Sequence, residues 1–322
     1  MINRPFVPAC ALAAAVLGAW PIPQREASAA GDQGATPASY FGQPIPGLTP
    51  ERFAAGVVST DAIELNGVFT PDLREFFFAR LVEGIQTIHR SVLADGTWSA
   101  PGPLLLFPNQ TRAVADDMTV SLDGHELYFL GIYPPAQGTG VRNPDIWRSR
   151  RINGRWSTAE MLPSPISTEA SEVYPLVVGD GSLYFTSNRP GGLGSSNLYR
   201  AQRLGDGGFD KPALVAAPVN SEFGIGDVYV SPDESVMVLS SSRPPSLGAS
   251  DLFVSFRRHN GDWSEPAHLG NTVNTDQTDY CPMVTPDGRF LFFSRRRGAS
   301  WSQATAGDVY WVDAKIVEQF RR

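Results

Sequence analysis

One pattern returns five times along this chain, about every 54 residues, and it limits the possible folds more than any other feature. The copies read GVFTPDLREFFFAR (67–80), MTVSLDGHELYFLG (118–131), YPLVVGDGSLYFTSNRP (174–190), VYVSPDESVMVLSSSRP (228–244) and CPMVTPDGRFLFFSRRRG (281–298). Their turn aspartates, Asp72, Asp123, Asp180, Asp233 and Asp287, are spaced by 51, 57, 53 and 54 residues. A fixed period of this length marks a repeat architecture, in which each unit buries its apolar face only against its neighbours.

Each copy holds more than one hairpin. An apolar run leads into a Pro-Asp-Gly-type turn, and an aromatic run such as Leu183-Tyr184-Phe185 or Phe290–Phe293 leaves it. Runs of β-branched and aromatic residues bounded by Gly, Pro, Asp and Ser read as strands. A third strand follows at Thr87–His89, Asp145–Trp147, Asn197–Tyr199, Asp251–Phe253 and Asp308–Tyr310. In four copies a polar turn and an aromatic come next, at Trp98, Trp156, Phe209 and Trp263. The turn dipeptides, Asp95-Gly96 and Asn153-Gly154 among them, tolerate positive φ and suit tight hairpins. Segments such as 213–221 and 267–275 then supply a fourth strand. Four antiparallel strands per unit is a propeller blade.

The fifth copy stops after its third strand, whereas Pro50–Thr60 (PERFAAGVVST) looks like the fourth-strand segments PALVAAPVNS (212–221) and PAHLGNTVNT (266–275). The N-terminal strand is therefore expected to complete the last blade, pairing residues 52–60 with 307–313 and leaving no open sheet edge. The expected fold is all-β: a single closed β-propeller of four-stranded blades. The copies count to five blades, or six if residues 31–66 hide a degenerate one.

The runs SPDESVMVLSSSRPPSLGASDLFVSFRRHNGDWSEPAHLGNTVNT (231–275) and TPDGRFLFFS (285–294) resemble the WD-repeat-like, Pro-Asp-turn repeats of TolB-like propellers. The resemblance spans roughly residues 50–322. It implies the propeller fold and a place among bacterial envelope proteins, and it leaves activity open because this repeat serves many functions.

Residues 1–29 are of another kind. Arg4 precedes the apolar stretch Val7–Trp20, and Ala27-Ser28-Ala29 suits signal peptidase, so the segment reads as a secretory signal too short for a membrane span. The apolar core follows Cys10 instead of preceding it, which argues against a lipid anchor. Residues 30–49, rich in Gly, Pro, Ala and Ser, read as a flexible leader, and 50–322 as the propeller. A periplasmic or secreted monomer without a membrane span is expected. The whole chain carries a formal charge of −7, and loss of Arg4, Arg25 and Glu26 brings it near −8. Such a surface argues against nucleic acid, whose phosphates need a basic footprint. Cys281, left alone, is expected to be buried as a small apolar group in an innermost strand.

No Gly-x-Ser-x-Gly elbow, phosphate loop or dinucleotide fingerprint occurs. His89, His125, His259 and His268 lack metal-ligand spacing and read as solvated surface imidazoles, so no structural zinc is expected. Two recurring sets remain. Glu64, Asp117, Glu172, Asp227 and Asp279 stand six to eight positions before the turn aspartates, at the start of each innermost strand. They either converge on the channel mouth, where they would raise one another's pKa and attract calcium, another divalent cation or a basic ligand, or they cap the connections between blades. The second set, Arg189, Arg243 and Arg297, faces Asn197, Asp251 and Asp308 across Gly-rich loops. It reads as a structural clasp on the face where propeller ligands dock.

The expected function is that of an exported, non-catalytic propeller binding an envelope protein, peptide or glycan through its loop face, with no cofactor required. The alternative is a glycosidase or polysaccharide lyase with paired carboxylates at the channel mouth.

Overall fold

A computed structural model describes residues 40–107, 113–133, 143–298, 300 and 303–321. Residues 1–39, which hold the expected signal segment and the first part of the expected leader, lie outside the described residues. Apart from the four-residue helices Gly270–Val273 and Lys315–Glu318, the regular elements are strands, arranged in sheets that are mainly antiparallel.

The strands fall into five units with one pairing pattern. The first unit joins Ile63–Phe69, Glu75–Val82, Ile85–Ala94 and Gly102–Pro103. The second joins Val114–Val120, Glu126–Ile132, Asp145–Ile152 and Glu160–Met161. Glu172–Val177, Leu183–Ser187, Asn197–Ala201 and Ala213–Leu214 make the third. The fourth is built from Ile225–Val230, Val236–Ser241, Asp251–Phe256 and Ala267–His268. In the fifth, Thr278–Val284, Phe290–Arg297 and Ala306–Asp313 are followed by Glu51–Arg52, which pairs with Tyr310 and Trp311. The N-terminal segment thus supplies the fourth strand of the last unit, and Phe53 N–H extends the pairing to the Val309 carbonyl. First strands touch in succession, from Ile63–Phe69 through the second, third and fourth units to Thr278–Val284, which touches Ile63–Phe69 again.

The fourth strands are shorter than expected. Ala213–Leu214 and Ala267–His268 are two residues each, and the chain then curls instead of continuing to 221 or 275. The curl buries Val219 and Val273 between neighbouring units. It also brings Asn220 onto Leu198 and Asn274 onto Leu252, where each amide bonds both the N–H and the carbonyl of that residue. Ser59 does the same for Val309. A side chain that replaces a backbone ladder in this way ends a strand without leaving buried polar groups unpaired.

Residues 40–49 are docked instead of forming the end of a flexible leader. Tyr40 is buried against Phe69, Phe290 and Trp311, and its hydroxyl donates to Asp287 at 2.6 Å. Phe41 stacks on Trp98 with ring centroids 4.3 Å apart. Two aromatics in a Gly/Pro-rich stretch supply enough apolar area to hold it down. Together with Phe53 and Phe76 they form an aromatic core joining the fifth unit to the first.

Candidate functional site

Every first strand carries a β-bulge six residues before its turn aspartate. The ladder shifts between Leu65 and Val68, Asp116 and Thr119, Val173 and Leu176, Ile225 and Val228, and Tyr280 and Met283. The residues at this one offset are Asn66, Asp117, Tyr174, Asp227 and Cys281. Four of them, Asn66, Asp117, Tyr174 and Cys281, have φ between 47° and 55°. That left-handed conformation costs non-glycine residues free energy, and bulges use it to re-aim a side chain. All five line one cavity of about 20 Å³ where the first strands meet, room for a single water-sized occupant.

The five acidic residues expected to form one ring therefore split into two sets. Glu64, Glu172 and Asp279 sit eight residues before the turn aspartate, with wholly buried side chains that are paired. Glu64 accepts from Arg80 at 2.9 Å, Glu172 from Arg189 at 3.1 Å and Asp279 from Arg295 at 2.7 Å. Each also accepts from the backbone N–H and hydroxyl of the threonine four residues earlier, Thr60, Thr168 or Thr275. The same arginines donate to carbonyls of the preceding connection, at Val57 and Val58, Pro165 and Ile166, and Val273. These three acids pin connections between units. Burial pushes the Asp279 carboxyl up, against the pull of Arg295.

Asp117 and Asp227, at the bulge, are different. Among the described residues no Arg or Lys pairs with either. Cys281 Sγ donates to Asp227 Oδ1 at 3.0 Å and lies 3.7 Å from Asp117 Oδ1, and the donor atoms of the three residues lie within 4.8 Å of one another. Asp227 also accepts from Ser240 Oγ at 3.0 Å. Asp116 is buried next to them, and both its Oδ1 and Asn66 Oδ1 are buried without a hydrogen-bond partner among the described residues. Burial first, and the neighbouring carboxylates second, push Asp116 up to about 7 and Asp117 well above the usual carboxylate range. Burial also raises Asp227, against the lowering effect of its bonds from Cys281. Burial and the same two aspartates push the Cys281 thiol up, which makes it a poor nucleophile. Carboxyl groups and a thiol gathered out of water favour bound protons or a bound cation over unpaired negative charge.

Among the described residues the expected clasp is not formed as paired side chains. Arg189 and Arg243 turn toward the connections behind them, Arg189 to Ile166 O at 2.7 Å and Arg243 to Val219 O at 2.5 Å. Asn197 and Asp251 instead fold their own loops. Asn197 Oδ1 accepts from Leu193 N and Gly194 N, whereas Asp251 accepts from Leu247 N, Gly248 N and His268 Nε2. Asp308 pairs with Arg52 at 2.6 Å. Short local bonds to backbone amides win because an Asx side chain need order nothing beyond its own loop. Arg297 remains exposed and lines a cleft of about 450 Å³ with Ala249, Asp276, Gln277, Thr278 and Gly298, where the loop before Asp251 of the fourth unit meets the fifth.

His125 and His259 are exposed as expected. His89 is buried, with its pKa lowered mainly by that burial, and His268 donates from Nε2 to Asp251 and accepts at Nδ1 from Gly270 N–H, so neither is a free surface imidazole. Trp263 is buried, and Trp156 packs edge-on to Phe77.

No family model matches the chain, and no curated protein matches it in sequence. Among solved structures, it is similar to a protein assigned as TolB from Agrobacterium tumefaciens, with 14% identity, coverage of 75% of this chain and 73% of that one, and a TM-score of 0.49. TolB from Acinetobacter baumannii gives 17% identity, 79% and 58% coverage and a TM-score of 0.46. The catalytic domain of the GH62 α-L-arabinofuranosidase of Coprinopsis cinerea gives 12% identity, 83% and 94% coverage and a TM-score of 0.49. At these identities and scores no activity is carried over to this chain.

Proposed function

We propose that the five units are the blades of one closed propeller, exported to the periplasm or beyond, which acts without catalysis by holding an envelope protein, peptide or glycan at its loop end. The observation that carries this reading is the cleft lined by Ala249, Asp276, Gln277, Thr278 and Arg297. It has the size of a ligand site, and its lining offers both signs of charge together with uncharged polar groups. The cyclic contact of the first strands and the pairing of Glu51–Arg52 with the last unit support closure. Among the described residues, no helix is long and apolar enough to cross a membrane.

The glycosidase alternative needs two carboxyl groups that a sugar can reach. Glu64, Glu172 and Asp279 are buried in ion pairs, and the unpaired Asp117 and Asp227 face a cavity of about 20 Å³, far below the volume of a pyranose ring. A photo-cross-linking residue placed at Ala249 in the producing cell tests the binding reading. Defined adducts are expected, and Arg297→Glu should remove them; the same probe at exposed Ile152 should yield none. Turnover of chromogenic glycosides that disappears in Asp227→Asn would replace binding with hydrolysis.

A further inference from the structure

We propose that Asp117, Asp227 and Cys281 bind a single thiophilic divalent transition cation, for which Zn²⁺ is the best match, with Asn66 Oδ1 as the fourth donor. This site is separate from the loop-end cleft and does not depend on the binding role assigned to it.

Four observations carry the assignment. The first is the donor set. Two carboxylates and one thiol come from three of the five bulges, and their donor atoms lie within 4.8 Å of one another although the residues lie far apart in sequence; the Asn66 amide, from a fourth bulge, lines the same cavity. A thiolate ligand disfavours calcium and magnesium, which take oxygen donors, and favours zinc and its neighbours. The second is spacing. A tetrahedral zinc with Zn–S near 2.3 Å and Zn–O near 2.0 Å places sulfur and oxygen about 3.5 Å apart. Cys281 Sγ lies 3.0 Å from Asp227 Oδ1 and 3.7 Å from Asp117 Oδ1, on either side of that value.

The third is the unsatisfied amide. Asn66 is 6% exposed and lines the same cavity, yet among the described residues its Oδ1 has no hydrogen-bond partner. A buried acceptor left unpaired is unfavourable, and a cation in the cavity would satisfy it. The fourth is room and support. The cavity takes one small occupant, and Ser240 Oγ, 3.0 Å from Asp227 Oδ2, orients that carboxylate from behind. Binding would displace the Cys281 thiol proton, now directed at Asp227, to solvent.

The test uses the chain refolded in the presence of Co²⁺, because a folded buried site exchanges slowly. One equivalent of Co²⁺ should remain after dialysis and show the near-ultraviolet thiolate-to-cobalt charge-transfer band, and refolding with equimolar Zn²⁺ also present should suppress it. Cys281→Ser should abolish the band, and Asp227→Asn should weaken retention by more than about 10-fold. Should either variant fail to fold, the wild-type band and its suppression by Zn²⁺ decide the question alone. A folded wild-type chain that retains no Co²⁺, or retains it without the thiolate band, overturns the proposal and leaves a hydrogen-bonded acid–thiol cluster.

Discussion

Cys281 Sγ and Asp227 Oδ1 stand 3.0 Å apart although 54 residues separate them, one repeat period, because each occupies the bulge of its own unit. The contact places the thiol inside the cluster and out of solvent, at 1% exposure. A maleimide added to the native protein should therefore leave Cys281 unlabelled for hours, whereas labelling in denaturant should be complete within minutes. Rapid native labelling would mean that the first strands do not close over the thiol.

Glu172 and Arg189 make the clearest case of a buried ion pair that tethers one unit to the next. The Glu172 side chain is fully buried, that of Arg189 is 14% exposed, and the guanidinium also holds the Pro165 and Ile166 carbonyls. Removing one partner strands a charge in the interior, at a cost of about 3–5 kcal/mol. Arg189→Met should lower unfolding free energy by about that amount in urea titrations. Glu172→Leu combined with Arg189→Met should recover part of the loss, and a double variant as unstable as the sum of both singles would contradict the pairing.

Closure by the N-terminal segment rests on Phe53 as much as on the two-residue strand before it. Phe53 is fully buried among Phe76, Phe292 and Trp311. Phe53→Ala should cost about 3–5 kcal/mol, as for other fully buried aromatics. Removal of residues 40–62 should abolish the single cooperative transition, since it exposes the edge at Ala306–Asp313 along with the aromatic core. A truncated chain that melts like the intact one would show that this edge needs no cover.

The repeat period made the unit, its hairpins and the last unit's missing strand legible, because each rests on local patterns of turn residues and apolar runs. The central cluster was not legible as a set. Reading acidic residues at six to eight positions before the turn merged Glu64, Glu172 and Asp279 with Asp117 and Asp227, although two residues along a strand separate a paired clasp from the shared cavity. Holding the offset at six would have brought Asn66, Tyr174 and Cys281 in, at the expense of the expectation that a functional ring repeats one residue type. The spacing Thr60…Glu64, Thr168…Glu172 and Thr275…Asp279 was in plain view and signals the clasp. Which arginine completes it was not, because Arg80 and Arg295 lie directly opposite their acids, whereas Arg189 reaches Glu172 from two residues further on. The Arg243–Asp251 pairing failed for a related reason: sequence proximity across a hairpin says nothing about the loop amides that compete for Asp251.

The turn aspartates that reveal the repeat should also set its behaviour in acid. Thr70, Ser121 and Ser231 donate hydroxyl bonds of 2.6 Å to Asp72, Asp123 and Asp233. For Asp233, burial alone would raise the carboxyl, but the bonds from Ser231 and Ser235 outweigh it and hold it below its ordinary value of 3.8. The same balance lowers Asp72 and Asp123, while Asp180 is lowered by Ser182 and Arg200. A carboxyl whose pKa is depressed by folding adds stability above its unfolded pKa, about 3.9, and that stability is lost as pH falls through the lower folded value. Asp233→Asn should therefore melt below the wild type at pH 6, with the gap starting to narrow near pH 4 and vanishing at lower pH. Taking the difference between two chains that share every other titrating group isolates this turn. Melting curves from pH 6 downward check the sign, and a gap that stays constant or widens on acidification would show that Asp233 does not act through its charge.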